Sequence, residues 1–183
     1  MKKIIAIVGM AGAGKSEATK YLETKNIPFA RFGQITDEEI QALGLPLIQK
    51  NEQTVREKLR QELGMAAYAI KMKPRIDKLL KEHDVIVLDG LYSWEEYVFL
   101  KKEFHGFMLV HIFAEPPQRY KRLSKRLVRR LSLKDARERD IAELEKLNKG
   151  GPIAIADYII VNNGDDIKEL YRKVDKLLKR LRI

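Results

Sequence analysis

The sequence contains no cysteine, which excludes disulfides, thiolate metal sites and thiol nucleophiles. Histidine is scarce as well, and His83, His105 and His111 show no spacing typical of metal ligands. No apolar run approaches the length of a membrane span. These absences favour a protein that acts without thiol chemistry and outside a membrane.

Charge is plentiful, and its balance is basic. The 183 residues include 36 Lys and Arg against 26 Asp and Glu, which gives a net charge of +10. Such a surface favours polyanionic partners, either nucleotide phosphates or nucleic acid, and composition does not choose between them. The length allows one domain with a full apolar core.

The first residues superficially resemble a secretion signal, with two lysines, an apolar stretch and small residues. The apolar stretch is short, however, and Gly9 interrupts it. The residues that follow complete a phosphate loop. We therefore predict a buried first strand and a cytoplasmic protein.

Strands and helices alternate along the chain. Five apolar segments are predicted as strands: Lys3–Val8, Pro28–Phe32, Asp84–Leu88, Phe107–Phe113 and Asp157–Val161. The predicted helices are Lys15–Lys25, Asp37–Leu43, Gln53–Leu80 with breaks near Gly64 and Pro74, Trp94–Phe104, Gln118–Leu131, Lys134–Leu147 and Asp165–Leu181. This alternation predicts an α/β fold with a parallel sheet covered by helices on both faces. We expect one domain over 1–183, with an acceptor-side helical insertion at about 34–80 and a basic lid at about 118–147.

The stretch GMAGAGKS, Gly9 to Ser16, satisfies the phosphate-loop pattern G-x-x-x-x-G-K-[ST] in full, between a predicted strand and a predicted helix. Backbone amides of such a loop surround a β-phosphate, and the helix N-terminus adds its positive dipole end. Lys15 would reach the β- and γ-phosphates, and the Ser16 hydroxyl would bind Mg²⁺. The sequence thus predicts ATP and Mg²⁺ as cofactors. The expected nucleotide-binding residues here are Gly9, Ala11, Gly12, Ala13, Gly14, Lys15, Ser16 and Glu17.

Asp89 ends an apolar strand, where a carboxylate in phosphate-loop folds faces the metal ion or its water. A turn or helix-capping role is the alternative, because Gly90 and Ser93 follow. The phosphate loop favours the metal interpretation. Asp89 is also our candidate for orienting or deprotonating the acceptor.

Basic charge is concentrated between Gln118 and Asp140, with ten Lys or Arg and three acids. Arginines that close over a transferred phosphoryl group neutralise its charge and exclude water. Those at helical spacings are Arg119, Arg122, Arg126, Arg129 and Arg130, and the next helix adds Arg137 and Arg139, with Asp140 able to orient one of them. A solvated basic face or a nucleic-acid surface is the rival interpretation. The latter is less favoured because Tyr120 is the only aromatic ring there.

Over nearly its full length the chain resembles the adenylate-kinase-related, dephospho-CoA-kinase-like proteins of the nucleoside-monophosphate-kinase group. The matching stretches are IVGMAGAGKS, RFGQITDEEI, LRQELGMAAYA, VIVLDGLYSWEE, EPPQRYKRL, RERD and ADYIIVNNG. The resemblance implies a P-loop NTPase three-layer sandwich with a five-stranded parallel sheet, and an ATP-dependent phosphotransferase. It also implies that Arg119, Arg122 and Arg139 touch ATP phosphates, and that Asn162 and Asn163 lie near the adenine.

The acceptor side departs from the resemblance. Relatives often read G-D-x-x-R after strand two, where this chain has Gln34 in place of the acid and Asp37 in place of the arginine. After strand three, Tyr92 stands where close relatives carry an arginine. An acceptor phosphate without an arginine clamp binds weakly. The candidates to replace the arginine clamp are Arg31, Arg56, Arg60 and Arg75. We predict that Gln34, Arg60 and Tyr92 bind the acceptor. Trp94 is expected to serve helix packing.

Two functions follow as hypotheses. The first is an ATP- and Mg²⁺-dependent phosphotransferase that acts on a nucleotide or nucleotide-like small molecule, with Lys15, Asp89, Arg119 and Arg139 as its catalytic residues. The second is a nucleotide-binding regulatory ATPase with slow hydrolysis and a protein or RNA partner, which the altered acceptor motifs and the basic surface favour. The sequence leaves the acceptor and the oligomeric state open.

Overall fold

A computed structural model describes residues 2–127 and 130–183. Five strands form one sheet in the order β2-β3-β1-β4-β5, and every adjacent pair is parallel. The strands are β1 (Lys3–Val8), β2 (Phe29–Arg31), β3 (Val85–Asp89), β4 (Phe107–Phe113) and β5 (Tyr158–Val161). The predicted five-stranded parallel sheet is confirmed, and β1 and β4 have the predicted bounds.

Nine helices are found in the described residues: α1 (Lys15–Glu23), α2 (Gly33–Ala42), α3 (Gln49–Leu63), α4 (Ala67–Glu82), α5 (Trp94–Glu103), α6 (Pro116–Ser124), α7 (Leu133–Leu147), α8 (Gly150–Ala154) and α9 (Ile167–Leu181). The break at Gly64 is confirmed, since this residue ends α3 with a φ of 75°. The predicted break at Pro74 is wrong because α4 continues through it. Met72 and Ile76 on either side are fully buried, and their burial offsets the ~3 kcal/mol that an interior proline costs a helix.

Other helix bounds also differ from the prediction, among them the start of α3 at Gln49 rather than at Gln53. α2 begins at Gly33 rather than at Asp37, because the buried Ile35 and Thr36 hold its first turn against the core. α6 ends at Ser124 rather than at Leu131, and the fully exposed Leu127 just beyond it has no apolar surface to pack on. The short α8 was not predicted, because glycine and proline in its sequence are poor helix formers.

Two apolar cores lie on opposite faces of the sheet. On one face, alternate residues of β1 and β3 such as Ile4 and Leu88 pack against α2–α5. On the other, Ile5 and Ile7 pack with α1 and α9, where Leu170 is almost fully buried. This alternation places apolar side chains on both faces of the central strands, as the long apolar runs in the sequence predict.

The connections that leave the neighbouring strands β1 and β3 run in opposite directions across the sheet, toward β2 and toward β4. β2 and β3 lie on one side of β1, and β4 and β5 lie on the other. Ligands of open parallel sheets bind beyond the carboxyl ends of the strands at such a point. Ile7 of β1 pairs with Asp89 of β3, so the end of β1 and Asp89 meet there.

Two helical segments flank this edge. Helices α2, α3 and α4 connect β2 to β3, and α6, α7 and α8 connect β4 to β5. They occupy the positions of the predicted acceptor-side insertion and basic lid. Among the helices described, none has both the length and the apolar character needed to cross a bilayer.

Candidate active site

The loop from Gly9 to Gly14 joins β1 to α1 and has the backbone shape that a phosphate loop requires. A Cβ atom on Gly9, at φ 143°, would lie 2.4 Å from the Ile112 carbonyl oxygen. One on Gly12, at φ 81°, would lie 2.7 Å from the Arg119 carbonyl oxygen. α1 then begins at Lys15 with no side-chain cap from the described residues, so its first amides are available to an anion.

Lys15 is folded back onto the loop that carries it. Its ammonium donates hydrogen bonds to the Gly9 carbonyl at 2.8 Å and to the Met10 carbonyl at 3.1 Å. Burial, with a further contribution from Lys149, lowers the pKa of Lys15 to about 7, although Glu143 and Asp89 oppose this shift. A bound polyphosphate would supply the anion that this ammonium lacks.

Ser16 and Asp89 provide oxygen atoms on the same cleft. The Ser16 hydroxyl is exposed and follows Lys15 on α1, whereas Asp89 is largely buried at the end of β3. Burial raises the pKa of Asp89, and the positive charges of Lys15 and Arg31 oppose this. A hydroxyl and a carboxylate suit Mg²⁺, which takes most of its remaining ligands from water and substrate phosphates. Within the part of the chain that the structure describes, no group of three or more histidine, aspartate or glutamate side chains is arranged to hold a metal ion.

A cleft of about 420 Å³ extends from the phosphate loop toward both helical segments. Six basic and three acidic side chains line it, so its walls are cationic. The lining residues are Ala11, Gly12, Gly14, Lys15, Ser16, Glu17, Arg31, Gly33, Asp89, Gly90, Tyr92, Arg122, Arg126, Arg139, Glu143 and Lys149. Most of the residues predicted to bind nucleotide thus come together here.

Arg119 is an exception, because its guanidinium is directed into the protein. It forms a bidentate pair with Asp140 at 2.9 and 2.6 Å and also donates to the Ala114 and Ala11 carbonyl oxygens, both at 3.1 Å. The side chain is only 5% exposed and does not line the cleft. The expected contact of Arg119 with ATP phosphates is therefore absent from this arrangement. Instead, Arg119 holds the phosphate loop to α6 and α7.

Three other predicted arginines do line the cleft: Arg122, Arg126 and Arg139. Arg122 also donates to the Gly12 and Gly164 carbonyl oxygens, which joins α6 to the phosphate loop and to the turn after β5. The expectation that Asp140 orients Arg137 or Arg139 is wrong, since Asp140 binds Arg119. Arg139 pairs with Glu143 one turn further along α7. Arg129 lies outside the described residues.

Only some of the residues predicted to bind the acceptor line the cleft. Tyr92 lines the cleft, and burial, with the nearby Asp89 charge, raises its pKa to about 12. Gln34 and Arg60 do not line it; Arg60 lies 5.3 Å above the ring of Tyr68 on α4. Of the replacement arginines only Arg31 reaches the cleft, where it also pairs with Asp37 at 2.5 Å. Arg56 and Arg75 pair with Glu52 and Glu38, and Trp94 packs on Tyr97 as expected.

Sequence reasoning missed a cationic cluster on the lid side of the cleft. Glu143 accepts a hydrogen bond from Arg139 at 3.0 Å and another from Lys149. Burial alone would raise the pKa of Glu143, but Lys149 and Arg139 lower it. The Lys149 ammonium lies 5.3 Å from the Tyr92 ring centroid, with the side chain 2% exposed. The only sequence signals were the Arg139–Glu143 spacing of four residues and the Gly150-Gly151 pair after Lys149.

The asparagine turn after β5 supports the phosphate loop. Asn162 is buried and donates through Nδ2 to the Ala13 carbonyl at 2.8 Å. Asn163 accepts from the Glu115 amide and donates to the Glu115 carboxylate, each at 2.9 Å. The turn therefore connects the loop to the end of β4. The expected proximity of Asn162 and Asn163 to the adenine stays a prediction.

Comparison with known proteins identifies a matching family and relatives that share nearly the whole chain. The family model of the AAA domain matches residues 5–148. A UPF0200 protein of Thermococcus onnurineus is 37% identical over 97% of both chains. A second, from Methanocaldococcus jannaschii, is 31% identical over 97% of this chain and 90% of its own.

Solved structures of small-molecule kinases share the fold. Shikimate kinase from Bacteroides thetaiotaomicron superposes with a TM-score of 0.60 at 18% identity, covering 99% of both chains. A gluconokinase from Sinorhizobium meliloti superposes with a TM-score of 0.53 at 14% identity, covering 98% of this chain and 95% of its own. At such identities the likeness establishes the P-loop kinase fold alone.

Proposed function

The chain belongs to the AAA domain family and to the UPF0200 group of archaeal proteins, and from this membership and the cleft we propose that it is an ATP- and Mg²⁺-dependent phosphotransferase. The acceptor we propose is a nucleotide or a nucleotide-like small molecule. The narrower grouping with adenylate-kinase-related and dephospho-CoA-kinase-like proteins rests on the motifs and is part of this proposal.

One observation carries the proposal. Lys15 and Ser16 of the phosphate loop, Asp89 of β3 and three arginines from α6, the segment after it and α7 line a single cleft. Phosphoryl transfer needs little covalent help from a protein and depends on positioning and charge stabilisation. These residues supply both, because cations surround the place where the γ-phosphate of ATP would lie against the acceptor.

Each of these residues has a specific role in the proposed phosphoryl transfer. The loop amides and Lys15 hold the β- and γ-phosphates of ATP, while Ser16 and Asp89 hold Mg²⁺, which would shield phosphate charge. Arg122, Arg126 and Arg139 stabilise the charge on the transferred group and exclude water. Asp89 faces the acceptor side next to Tyr92 and orients the attacking oxygen.

The test is ATP consumption by the purified full chain with Mg²⁺ against a panel of acceptors. The panel holds nucleoside monophosphates, deoxynucleotides, dephospho-CoA and nucleosides, with shikimate and gluconate added because structural neighbours carry those names. We expect one nucleotide-like acceptor to raise the rate by orders of magnitude. Lys15→Ala should abolish that turnover, whereas Lys20→Ala on the exposed side of the same helix should leave it unchanged.

A regulatory ATPase is the second candidate, and a specific observation favours it. Among the described residues that line the cleft, neither Gln34 nor Arg60 is found, so two of the three residues expected to bind the acceptor lie elsewhere. A regulator would hydrolyse ATP slowly and at the same rate with every acceptor. Its nucleic-acid binding, if RNA is the partner, would weaken steeply with salt. A flat panel would therefore refute the kinase proposal.

A further inference from the structure

The acceptor half of the cleft has cationic side chains, but they come from unexpected places. The positions after β2 and β3 where the resemblance implies arginines hold Asp37 and Tyr92. Facing Tyr92 instead are Lys149, from the connection between α7 and α8, and Arg139 of α7. Arg31, at the end of β2, lines the cleft as well. The cations that line this cleft besides those of the phosphate loop thus come from the lid side and from β2.

Lys149 is held in a fixed place. Its side chain is almost fully buried, with the Glu143 carboxylate on one side and the Tyr92 ring on another. Glu143 is in turn fixed by Arg139, whose Nε donates to its second oxygen at 3.0 Å. A buried lysine held in this way loses little further side-chain freedom when it binds a ligand.

The hydrogen bonds of Lys149 are incomplete. An ammonium has three N–H donors, and Glu143 is its one hydrogen-bond acceptor within residues 2–127 and 130–183. Because Lys149 lines the cleft, a remaining donor can meet a ligand there. Arg139 and Lys149 carry two formal positive charges against the one negative charge of Glu143; burial lowers the pKa of Lys149, and Glu143 opposes this shift. A doubly charged phosphate matches this cluster better than a singly charged carboxylate does.

We propose that Lys149 is a ligand of the acceptor's phosphate group, positioned by Glu143 and Tyr92, and that it replaces the arginine clamp missing after β2 and β3. Arg139 shares Glu143 with Lys149 and lines the same cleft, and both cations act on Lys15 across it. This inference rests on the proposed function, because it treats the cleft as having a nucleotide half and an acceptor half. It assigns Lys149 to the acceptor half.

The test measures ligand binding in the nucleotide half and in the acceptor half of the cleft separately. The nucleotide half is first filled with the Mg²⁺ complex of the non-hydrolysable β,γ-imido analogue of ATP, so that added anions cannot occupy the γ-phosphate position. Inorganic phosphate, as the probe for a phosphate-bearing acceptor, is then titrated by calorimetry, with acetate as the carboxylate probe. The variants are Lys149→Gln, Lys149→Arg and, as the matched control, Lys146→Gln on the exposed part of α7.

Lys149→Gln should weaken phosphate binding about tenfold or more, the effect of losing a charge-assisted hydrogen bond. It should change affinity for the ATP analogue less than about twofold, and Lys146→Gln should change neither. Lys149→Arg should keep most of the phosphate affinity. An unchanged phosphate affinity in Lys149→Gln, or an equal loss for the ATP analogue, would overturn the assignment. Acetate binding as tightly as phosphate would overturn the phosphate class.

A measurement on the wild-type chain decides the matter if Lys149→Gln does not fold. In protein with ¹³C-labelled lysine side chains, the Lys149 resonance, identified by its loss in Lys149→Arg, should move on phosphate addition while that of Lys146 stays. A fixed Lys149 resonance would refute the proposal. A flat acceptor panel in the turnover assay refutes the kinase, whereas these titrations judge Lys149 independently of turnover.

Discussion

The Arg119–Asp140 pair gives the sharpest test of how the phosphate loop is supported. Asp140→Asn keeps the size of the side chain but removes its charge, and its amide presents an N–H donor to a guanidinium that needs two acceptors. The Tyr120 hydroxyl, 2.9 Å from Asp140, is affected as well. Arg119 and Asp140 are 5% and 10% exposed, so water cannot replace the lost partner.

Breaking a buried ion pair from one side costs about 3–5 kcal/mol of unfolding free energy. For a chain of 183 residues, each kcal/mol shifts the melting temperature by roughly 2–4 °C, so Tm should fall by roughly 6–20 °C. Because Arg119 also holds the Ala11 carbonyl, ATP affinity should fall together with stability. Thermal unfolding followed by circular dichroism and an ATP titration at low temperature measure the two effects.

The matched control is Glu138→Gln, on the same helix. Its side chain is 62% exposed and lies 3.9 Å from Lys134, so its loss should change stability by no more than about 0.5 kcal/mol. A wild-type Tm in Asp140→Asn would refute the structural role of the pair. A wild-type Tm together with a lost ATP affinity would instead support the predicted contact of Arg119 with the phosphates of ATP.

Two further predictions concern the loop itself. Lys15 has a pKa of about 7 in the empty cleft, and bound phosphate should raise it, so ATP binding takes up a proton above pH 7. ATP affinity should therefore fall up to about tenfold per pH unit from pH 7.5 to 9 in calorimetric titrations, while Lys15→Arg, which does not titrate, should show no such slope. Gly12→Ala should lower Tm more than Gly44→Ala, because both glycines have positive φ but only Gly12 also meets a carbonyl at 2.7 Å. Equal losses of Tm in the two glycine variants would contradict the steric argument.

The local patterns of the sequence determined most of the fold. Runs rich in apolar residues identified all five strands, because a strand covered by helices on both faces has few polar positions; Arg31 of β2 and His111 of β4 are exceptions. The phosphate loop was identified from eight consecutive residues, Gly9–Ser16, since its chemistry depends on backbone shape and on neighbours in the chain. Both features are local, so a single sequence contains them.

Local patterns were misleading where packing decided the outcome. Proline disfavours a helix interior, yet α4 continues through Pro74 because Met72 and Ile76 are buried beside it. Glycine and proline disfavour α8, yet it forms, with Pro152 buried. In both helices tertiary contacts outweigh a propensity of a few kcal/mol at most.

Only the tertiary structure decided which charged side chains face the cleft. Arg119 and Arg122 are three residues apart on α6, and sequence gives no reason to separate them, yet Asp140 on another helix turns Arg119 inward. Lys149 lies 134 positions after Lys15 in the chain, but both line one cleft because the connection after α7 folds over the carboxyl ends of the strands. The direction of a long charged side chain depends on the partner that compensates its charge, and such partners come from distant parts of the chain.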